Sequence, residues 1–342
     1  MMTRNEINLI IADFVRHNLS PTKRERDNIT SKYSELKKIL EGRTFQNGSY
    51  ARHTSTTPVN DLDVFYVLED EKYQDVVEAI IENRNLDITN ILEDLADVLR
   101  EAYRGRARIE VQPHSVGIFF GAEDEFSIDV VPAIPADNRM FWVPESSRLS
   151  IRKRRQVYES SPAFHWIKSD PKGYIRDASE VDLRSSGRFR KDAKFVKKWK
   201  QGCKDINSDF PLKSFHLELI VTSLFKNDNS LECHAGIEMF FNSLHEFIKE
   251  PQFPDKADAS RFIDEYLNEL SEYDRQLILS QQEKAISIIK KINSAENEAE
   301  VLNLIKELLN LLEKSKLVNI TMGVAAAATR ISPAVSRPYY WE

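Results

Sequence analysis

Three aspartates are the residues of this chain whose types and spacing point most directly to chemistry. Asp61 and Asp63 open an apolar run that continues to Leu68 and is rich in β-branched and aromatic residues. Such a run predicts a short buried strand, on which residues two apart share one face. Asp129 lies within a second apolar run, at residues 126–131. We therefore expect three carboxylates on two strands, with Asp61 and Asp63 on the same side.

A carboxylate set into an apolar strand needs a physical reason. When it is ionised and unpaired it costs several kcal/mol, and a divalent cation shared by Asp61, Asp63 and Asp129 is a sufficient compensation. Two Mg²⁺ ions held by carboxylates about 3.5–4 Å apart can activate an attacking oxygen and stabilise a leaving one. The aspartates therefore predict a site for two Mg²⁺ ions, with Mn²⁺ as an alternative cation.

A glycine–serine pair, Gly48 and Ser49, stands shortly before the aspartates. Gly48 has no Cβ, so a phosphate group can approach its backbone closely, and the Ser49 hydroxyl and nearby N–H groups can donate to phosphate oxygens. Beside the carboxylates, this pair favours a nucleoside triphosphate as the substrate. Each motif also occurs by chance in surface loops, and an ordinary βαβ domain with acidic strand ends is the alternative interpretation.

Composition limits the classes of partner. The chain has 342 residues and a formal net charge of −6, with 41% hydrophobic and 30% charged residues. This length predicts two packed lobes, and the acidic balance argues against a protein that coats long nucleic acid. A local basic pocket for one or two triphosphates is compatible with that balance.

Cys203 and Cys233 are the only cysteines of the chain, and they have no metal-binding spacing. We expect buried free thiols, which fits a reducing cytoplasm. No apolar run approaches the ~20 residues of a membrane-spanning helix. The sequence therefore predicts a cytoplasmic protein with no membrane partner.

The elements that must position the aspartates form a mixed pattern of helices and strands. Residues 3–41 predict two helices, the second capped by Ser20 and Pro21 and packed across the back of a sheet. Further helices are expected at 73–83 and 88–103, strands at 43–69 and 108–131, and a long irregular connection at 132–187 once Pro132 and Pro135 end the sheet. A basic run at 152–155 within that connection indicates either a solvated helix face or a phosphate contact.

The chain after residue 187 is predicted to be helical. Lys197 flanks an apolar helical stripe and can extend its stem to present a point charge to a β- or γ-phosphate. Ser214 stands near the beginning of the next helix, where free N–H groups favour an anion. A surface charge and a plain N-cap are the alternative interpretations, and we favour phosphate binding because of the three aspartates. Later helices are expected at 235–249 and 259–314.

Five motifs, in their order along the chain, resemble those of the bacterial cGAS/DncV-like nucleotidyltransferases of the polymerase β-like superfamily. They are Gly-Ser-Tyr-Ala-Arg-x-Thr from Gly48, Asp-x-Asp-Val-Phe from Asp61, Ile-Asp-Val-Val-Pro from Ile128, Val-Lys-Lys-Trp from Val196 and Lys-Ser-Phe-His-Leu-Glu from Lys213. The resemblance covers about residues 20–225. The family's Asp-Pro…Asn motif near the base pocket has only a loose counterpart at 254–258, which leaves the base preference open.

This resemblance implies an α+β fold, in which a polymerase β-like nucleotidyltransferase lobe (a mixed sheet with helices) packs on a helical C-terminal lobe. We assign residues 1–187 to the N-terminal helices and catalytic lobe, 188–330 to the helical lobe and 331–342 to a C-terminal tail. The nucleotide cleft of the family lies between the two lobes.

The resemblance also implies roles for residues. Asp61, Asp63 and Asp129 would hold two Mg²⁺ ions, and Asp129 would accept the proton of the attacking hydroxyl. The triphosphate would be bound by a second set of residues, Gly48, Ser49, Lys197 and Ser214.

The activity that the resemblance implies is Mg²⁺-dependent synthesis of cyclic or linear oligonucleotide second messengers. The substrates would be nucleoside triphosphates, ATP among them, and the setting bacterial antiphage defence. The product would activate a separately encoded effector, and a regulatory protein partner could control the synthesis.

Three other functions are left open by the residues. A transferase that extends tRNA or another RNA needs a basic surface, for which the acidic balance gives little support. A nucleotidyltransferase acting on an antibiotic or a protein would form no oligonucleotide. A catalytically inactive nucleotide-binding protein usually lacks one metal carboxylate, whereas this chain has all three.

Overall fold

The computed structural model describes residues 1–68, 78, 82, 89–122, 125–136, 139–145 and 165–311. The helix predicted at 73–83 lies almost entirely outside these residues, and the basic run at 152–155 and the tail lie wholly outside them. The chain forms two compact units. The helical unit comprises Met1–Ser20, Ala178–Pro254 and Arg261–Glu342, and the sheet unit comprises Pro21–Asp177 and Asp255–Ser260.

The sheet unit contains a seven-stranded mixed sheet, as the fold class predicted. The strands are β1 Thr44–Gln46, β2 Asp61–Val67, β3 Arg108–Val111, β4 Val116–Phe120, β5 Phe126–Pro135, β6 Phe141–Glu145 and β7 His165–Ser169. Their order is β1-β2-β5-β4-β3, with β6 paired to β5 and β7 paired to β6. Strands β2 and β5 are parallel, and every other named pair is antiparallel.

One face of this sheet is covered by helices. Helix α2 spans Lys23–Ile39, the one-turn helix α3 spans Gly48–Ala51, and helix α4 spans Thr89–Ala102. A single buried cluster joins apolar residues of α2, α4, β2 and β5: Ile29, Leu36, Leu92, Leu95, Leu99, Leu62, Val64, Ile128 and Val130. The prediction of a helix across the back of the sheet is thereby confirmed for α2.

The predicted irregular connection is wrong for the residues that the structure describes. Strand β5 continues through Pro132 to Pro135, because proline removes only its own N–H donor; the next carbonyl, of Ala133, accepts from Leu68 N at 2.9 Å. Strands β6 and β7 then pair with each other, from Phe141 opposite Ser169 to Glu145 opposite His165. Helix α5, Pro171–Arg184, follows.

The second helix also begins later than predicted. Its N-cap is Thr22, whose side chain accepts from Glu25 N while the Glu25 side chain binds the Thr22 backbone, a reciprocal pairing that satisfies two helix-end donors. The hydroxyl of Ser20 instead donates to the Val15 carbonyl at 3.2 Å, at the end of a π-helical turn, Val15–Leu19.

The helical unit is built from α1 Arg4–Phe14, α6 Arg188–Ile206, α7 Ser214–Asn227, α8 Cys233–Phe247, α9 Glu272–Asn293 and α10 Glu298–Leu308, with α9 preceded by a short 3₁₀ turn. Trp199 stands at the centre of its core, with ring centroids 5.7, 6.3 and 5.0 Å from those of Phe210, Phe240 and Phe241.

Cys203 and Cys233 are buried free thiols. Among the described helices, none is both long and apolar enough to cross a membrane.

Each of the two units combines segments that are distant along the chain, while the assignment of residues 1–187, 188–330 and 331–342 stays a prediction. Helix α1 contributes Ile7, Ile11 and Phe14 to the core of the helical unit, while residues 255–260 group with the sheet unit. Within that unit, Lys256 makes an ion pair with Asp177 at 2.8 Å.

Glu25 ties the beginning of α2 to the loop that leads into β2. Beyond its capping role, its carboxylate accepts from Thr57 Oγ1 and from Val59 N, both at 2.9 Å. Partial burial opposes ionisation, but hydrogen bonds from Thr22, Val59 and Thr57 outweigh it and lower the pKa of Glu25. The ionised form is therefore the one that the fold stabilises.

We expect Glu25→Gln to lower the stability of the protein by about 1–3 kcal/mol at pH 7, because charge-assisted bonds and a helix cap are weakened. Since a carboxyl with a depressed folded pKa stabilises above its unfolded pKa, the difference from wild type should shrink as the pH falls below 4.5, the ordinary pKa of glutamate. Melting temperatures of both proteins between pH 3 and 8 measure this. An unchanged difference across that range would contradict the assignment.

Candidate functional site

The parallel pairing of β2 with β5 brings the three predicted carboxylates together in the sheet. Asp63 is the register partner of Asp129, and Asp61 is the register partner of Ser127. Paired residues on adjacent strands lie about 4.8 Å apart and share a face. All three aspartates therefore project from the same face of two neighbouring strands, and each is half-buried.

The apolar residues between the aspartates determine which face this is. Leu62 and Val64 alternate with the aspartates of β2, and Ile128 and Val130 flank Asp129; all four are at most 1% exposed and belong to the cluster beneath α2 and α4. Because successive strand residues point to opposite faces, this burial directs the carboxylates to the other side of the sheet. The predicted orientation of Asp61, Asp63, Leu62 and Val64 is confirmed.

Gly48 lies directly against the Asp63 carboxylate. Pairing of β1 with β2 ends at Gln46 opposite Val64, and Asn47 N then donates to the Asp63 carbonyl at 2.9 Å. Gly48 follows with φ +67°, and a Cβ added there would stand 1.6 Å from Asp63 Oδ2 and 2.6 Å from Asp63 Cγ. Only glycine combines this left-handed backbone with so close an approach.

Ser49 is half-buried in the second position of α3. The helix is closed by Thr54, whose backbone N–H and hydroxyl donate to the Ser49 carbonyl at 2.9 and 3.4 Å. At the far end of the connecting loop, the Asn60 carbonyl accepts from Ser127 N at 2.8 Å. The Gly-Ser segment is therefore fixed both to β2 and, through its loop, to β5.

The donor chemistry of this face fits a magnesium site. Three carboxylate side chains are the hard oxygen ligands that Mg²⁺ takes, and the strand register places them side by side. Among the residues that the structure describes, however, no group of three or more His, Cys, Asp or Glu side chains is arranged as a metal cluster. The fit therefore rests on donor type and backbone placement.

Lys197 and Ser214 lie in the helical unit. Lys197 Nζ is 3.5 Å from Glu218 Oε2, and these side chains are 8% and 2% exposed. Lys197 is therefore buried between α6 and α7 and paired with a carboxylate, so the alternative interpretation as a surface charge is wrong. Ser214 is the first residue of α7, as predicted, and its hydroxyl accepts from Lys200 Nζ at 2.8 Å.

The beginning of α7 is anchored by a buried polar group that sequence patterns do not predict. The Tyr266 hydroxyl accepts from Lys213 N at 3.3 Å and lies 2.9 Å from His216 Nδ1, while Asp264 Oδ2 is 3.6 Å from His216 Nε2. Burial, with a contribution from Lys213, lowers the pKa of His216 to about 3. His216 is therefore neutral, and these residues hold the backbone that precedes Ser214.

Lys200 was also missed by the sequence interpretation. The available signal was its spacing, because residues three apart share a helix face and Lys200 follows Lys197 by three positions. Lys200 is 5% exposed, which composition and periodicity do not predict for a lysine.

Comparison with protein families identifies one match, which spans residues 7–181 and is described as the Second Messenger Oligonucleotide or Dinucleotide Synthetase domain, SMODS. The matched segment includes both strands that carry the aspartates and the whole Gly-Ser segment. Among curated proteins, no significant match is found.

Solved structures with the same fold include several bacterial enzymes of low sequence identity. Escherichia coli MS115-1 CdnC with ATP matches with a TM-score of 0.66 at 18% identity, covering 88% of this chain and 97% of that one. The same CdnC in complex with HORMA-deltaN gives 0.65 at 18% identity, over 88% and 96% of the chains. Vibrio cholerae DncV cyclic AMP-GMP synthase with nonhydrolyzable GTP gives 0.55 at 15% identity, over 90% and 91%.

The family model covers just over half of the chain. The solved structures share its fold over 88–90% of the chain. The protein belongs to the SMODS family and is a nucleotidyltransferase of second-messenger oligonucleotide or dinucleotide synthesis.

Proposed function

We propose that this enzyme joins nucleoside triphosphates into a cyclic or linear oligonucleotide with Asp61, Asp63 and Asp129 as its catalytic carboxylates. The observation that carries the proposal is the register of β2 and β5, which pairs Asp63 with Asp129 while Gly48 lies against the Asp63 carboxylate. The carboxylate face and the glycine turn are thereby in direct contact.

In the proposed reaction, the 3′- or 2′-hydroxyl of one nucleotide attacks the α-phosphorus of another. The new O–P bond forms as the bond to pyrophosphate breaks, and Asp129 accepts the hydroxyl proton. Asp61, Asp63 and Asp129 would hold two Mg²⁺ ions, which when bound supply charge neutralisation and a more acidic hydroxyl. The chain itself contributes positioning, which is a large share of phosphoryl-transfer catalysis.

The triphosphate is assigned to four residues of the chain. Gly48 and Ser49 would donate backbone N–H groups and a hydroxyl from the turn beside Asp63. Lys197 and Ser214 would bind the outer phosphates. Ser214 supports this role because it opens a 14-residue helix, and the beginning of a helix favours anions.

The cellular setting proposed is bacterial antiphage signalling in the cytoplasm, in which the product activates a separate effector protein. Buried free thiols at Cys203 and Cys233 are compatible with a reducing compartment. A regulatory protein partner is also proposed, and the complex of E. coli CdnC with HORMA-deltaN supports it by analogy. ATP is proposed among the substrates, since CdnC is known with ATP.

The direct test is incubation with all four nucleoside triphosphates and Mg²⁺ without RNA, followed by mass spectrometry of the products. We expect short cyclic or linear oligonucleotides and released pyrophosphate, both abolished by a chelator. A protein that elongates only added RNA, or that transfers nucleotide only to an added small molecule or protein, would contradict the proposal. A parallel reaction includes the proposed regulatory protein partner. It shows whether an absence of oligonucleotide products is due to a missing activator.

We expect Asp61→Ala, Asp63→Ala and Asp129→Ala each to lower the rate of pyrophosphate release at least about 100-fold, because each removes a metal-binding carboxylate. Melting temperatures should stay near the wild-type value, since the apolar side of β2 and β5 is untouched. Asp94→Ala, at an exposed position of α4, is the matched control and should retain full activity. Wild-type rates in an Asp129→Ala protein would refute the assignment.

Gly48→Ala isolates the contact between the turn and the carboxylate. The added methyl group cannot coexist with the present position of Asp63 Oδ2, so we expect pyrophosphate release to fall about 100-fold or more as the carboxylate is displaced. Gly42→Ala is the matched control: its φ is +80° and no atom lies within 4 Å of an added Cβ. Both variants should lose about 1–2 kcal/mol of stability to backbone strain, but only Gly48→Ala should lose activity.

A further inference from the structure

A second group of side chains lies beside Asp129 on the face of the sheet that carries the aspartates. Strand β4 pairs with β5 on the side away from β2, and Gly117 is the register partner of Asp129. Val116 and Ile118 are fully buried in the cluster beneath α2 and α4. Because strand residues alternate between faces, Gly117 and Phe119 lie on the same face as Asp129.

Two side chains converge on Gly117. A Cβ added there would stand 2.6 Å from a ring carbon of Phe119 and 2.7 Å from Gln112 Nε2. The ring and the amide nitrogen therefore occupy the space in which any other residue would place its side chain. Glycine at position 117 thus brings an aromatic ring and an amide together, one strand away from Asp129.

The side chain of Gln112 is held in one orientation by Ser115. The Ser115 hydroxyl donates to Gln112 Oε1 at 2.8 Å, and Gln112 N donates to the Ser115 carbonyl at 2.9 Å. An amide side chain also carries two N–H donors on its nitrogen. Within the described part of the chain, no group accepts from Gln112 Nε2. The amide therefore presents fixed donors above Gly117.

Phe119 is half-buried and stacks with a guanidinium group. Its register partner on β3 is Arg108, whose guanidinium carbon lies 4.1 Å from the centroid of the Phe119 ring. Glu110 makes an ion pair with Arg108, which balances the positive charge. Nucleic acid bases stack on aromatic rings and on guanidinium planes. The pair of Phe119 and Arg108 therefore has the chemistry of a surface for base stacking.

The strand order determines which of the two nucleotides these side chains would meet. The Gly-Ser turn, to which the triphosphate of the donor nucleotide is assigned, follows β1 on one side of the aspartates, whereas Gly117 lies on their other side, in β4. Asp129 lies on β5, next to β4, and is the residue proposed to accept the proton of the attacking hydroxyl. The acceptor nucleotide, which supplies that hydroxyl, therefore belongs on the β4 side.

We propose that Gln112 and Phe119, brought together at Gly117, bind the base of the acceptor nucleotide and select a purine. A purine covers more of the stacking pair than a pyrimidine does, and its N7 is an acceptor to which the Gln112 amide donates. This inference rests on the proposed function, and it names residues of this chain that determine the specificity of that reaction.

Analogues that can serve only one role test the proposal. A 2′,3′-dideoxynucleoside triphosphate has no hydroxyl that can attack, so it serves only as donor. An α,β-methylene nucleoside triphosphate cannot release pyrophosphate, so it serves only as acceptor. Each of four donors is combined with each of four acceptors under the conditions in which wild type forms oligonucleotides. Mass spectrometry follows the dinucleotide, and KM is measured separately for the donor and the acceptor of the fastest pair.

We expect the KM of wild type for purine acceptors to be at least about tenfold lower than for pyrimidine acceptors. Phe119→Leu should raise the KM of the acceptor about tenfold, the effect of losing a stacking ring, and Gln112→Met about threefold to tenfold, the effect of losing a hydrogen bond. Gly117→Ala should raise it as well, because the added methyl group displaces both side chains. The KM of the donor should stay at the wild-type value in all three variants.

Three further variants serve as controls. Phe119→Tyr keeps the ring and should retain the acceptor KM of wild type. Gln201→Met changes an exposed glutamine of α6, and Tyr273→Leu changes an aromatic residue of α9 that is 67% exposed. Both should leave the KM of donor and acceptor unchanged.

An unchanged acceptor KM in Phe119→Leu and Gln112→Met, or a rise in the donor KM instead, would overturn the inference and leave the proposed function intact. Equal use of purine and pyrimidine acceptors by wild type would also overturn it. A wild type that forms no dinucleotide from any pair would refute the proposed function, and this inference with it. Melting temperatures are recorded for every variant, and Phe119→Met or Gln112→Leu replaces a first variant that does not fold.

Discussion

The site depends on one constraint, the parallel register of β2 with β5. Leu62, Val64 and the apolar residues of β5 must face the cluster beneath the helices, and a slip of one residue would turn every side chain of a strand to the opposite face. Such a slip would place carboxylates in the core, at a cost of several kcal/mol each. Burial of the apolar face therefore holds Asp63 opposite Asp129 more firmly than any contact among the carboxylates.

The same constraint extends from the two strands to the glycine turn. Asn47 N donates to the Asp63 carbonyl, and the next residue, Gly48, therefore lies against the Asp63 side chain. The loop that follows is held from a different direction, because Glu25 of α2 binds Thr57 and Val59 N. Backbone hydrogen bonds and one carboxylate thus fix the turn, so its geometry does not depend on a bound nucleotide. Preorganisation of this kind lowers the cost of ordering a site when substrate arrives.

Sequence patterns predicted the parts of the fold that are local. The strands that carry the aspartates follow from short apolar runs, and the stripe of α6 follows from a 3.6-residue period. Strands β6 and β7 were missed because their pairing joins residues 28 positions apart, Phe141 with Ser169, and neither segment has a distinctive pattern alone. The anchor of α7 was missed for the same reason, since Tyr266 lies 50 residues from His216. The family resemblance singled out Lys197 and Ser214. It did not predict the burial or the partners of these side chains, because both depend on how the helices pack.

The interface between α6 and α7 contains charged side chains, although apolar side chains could be buried there at a lower cost in desolvation free energy. A buried ion pair such as Lys197 with Glu218 is weak evidence for stability, because desolvation of both groups offsets most of their attraction. Loss of either partner would nevertheless remove a compensating charge from a buried position. The same interface holds Lys200 against Ser214, and Tyr266 and His216 anchor the backbone beside it. Polar groups are thus concentrated at the beginning of one helix, and the proposed binding of triphosphate by Ser214 would use donors that the protein already holds, which need no reorganisation when an anion binds.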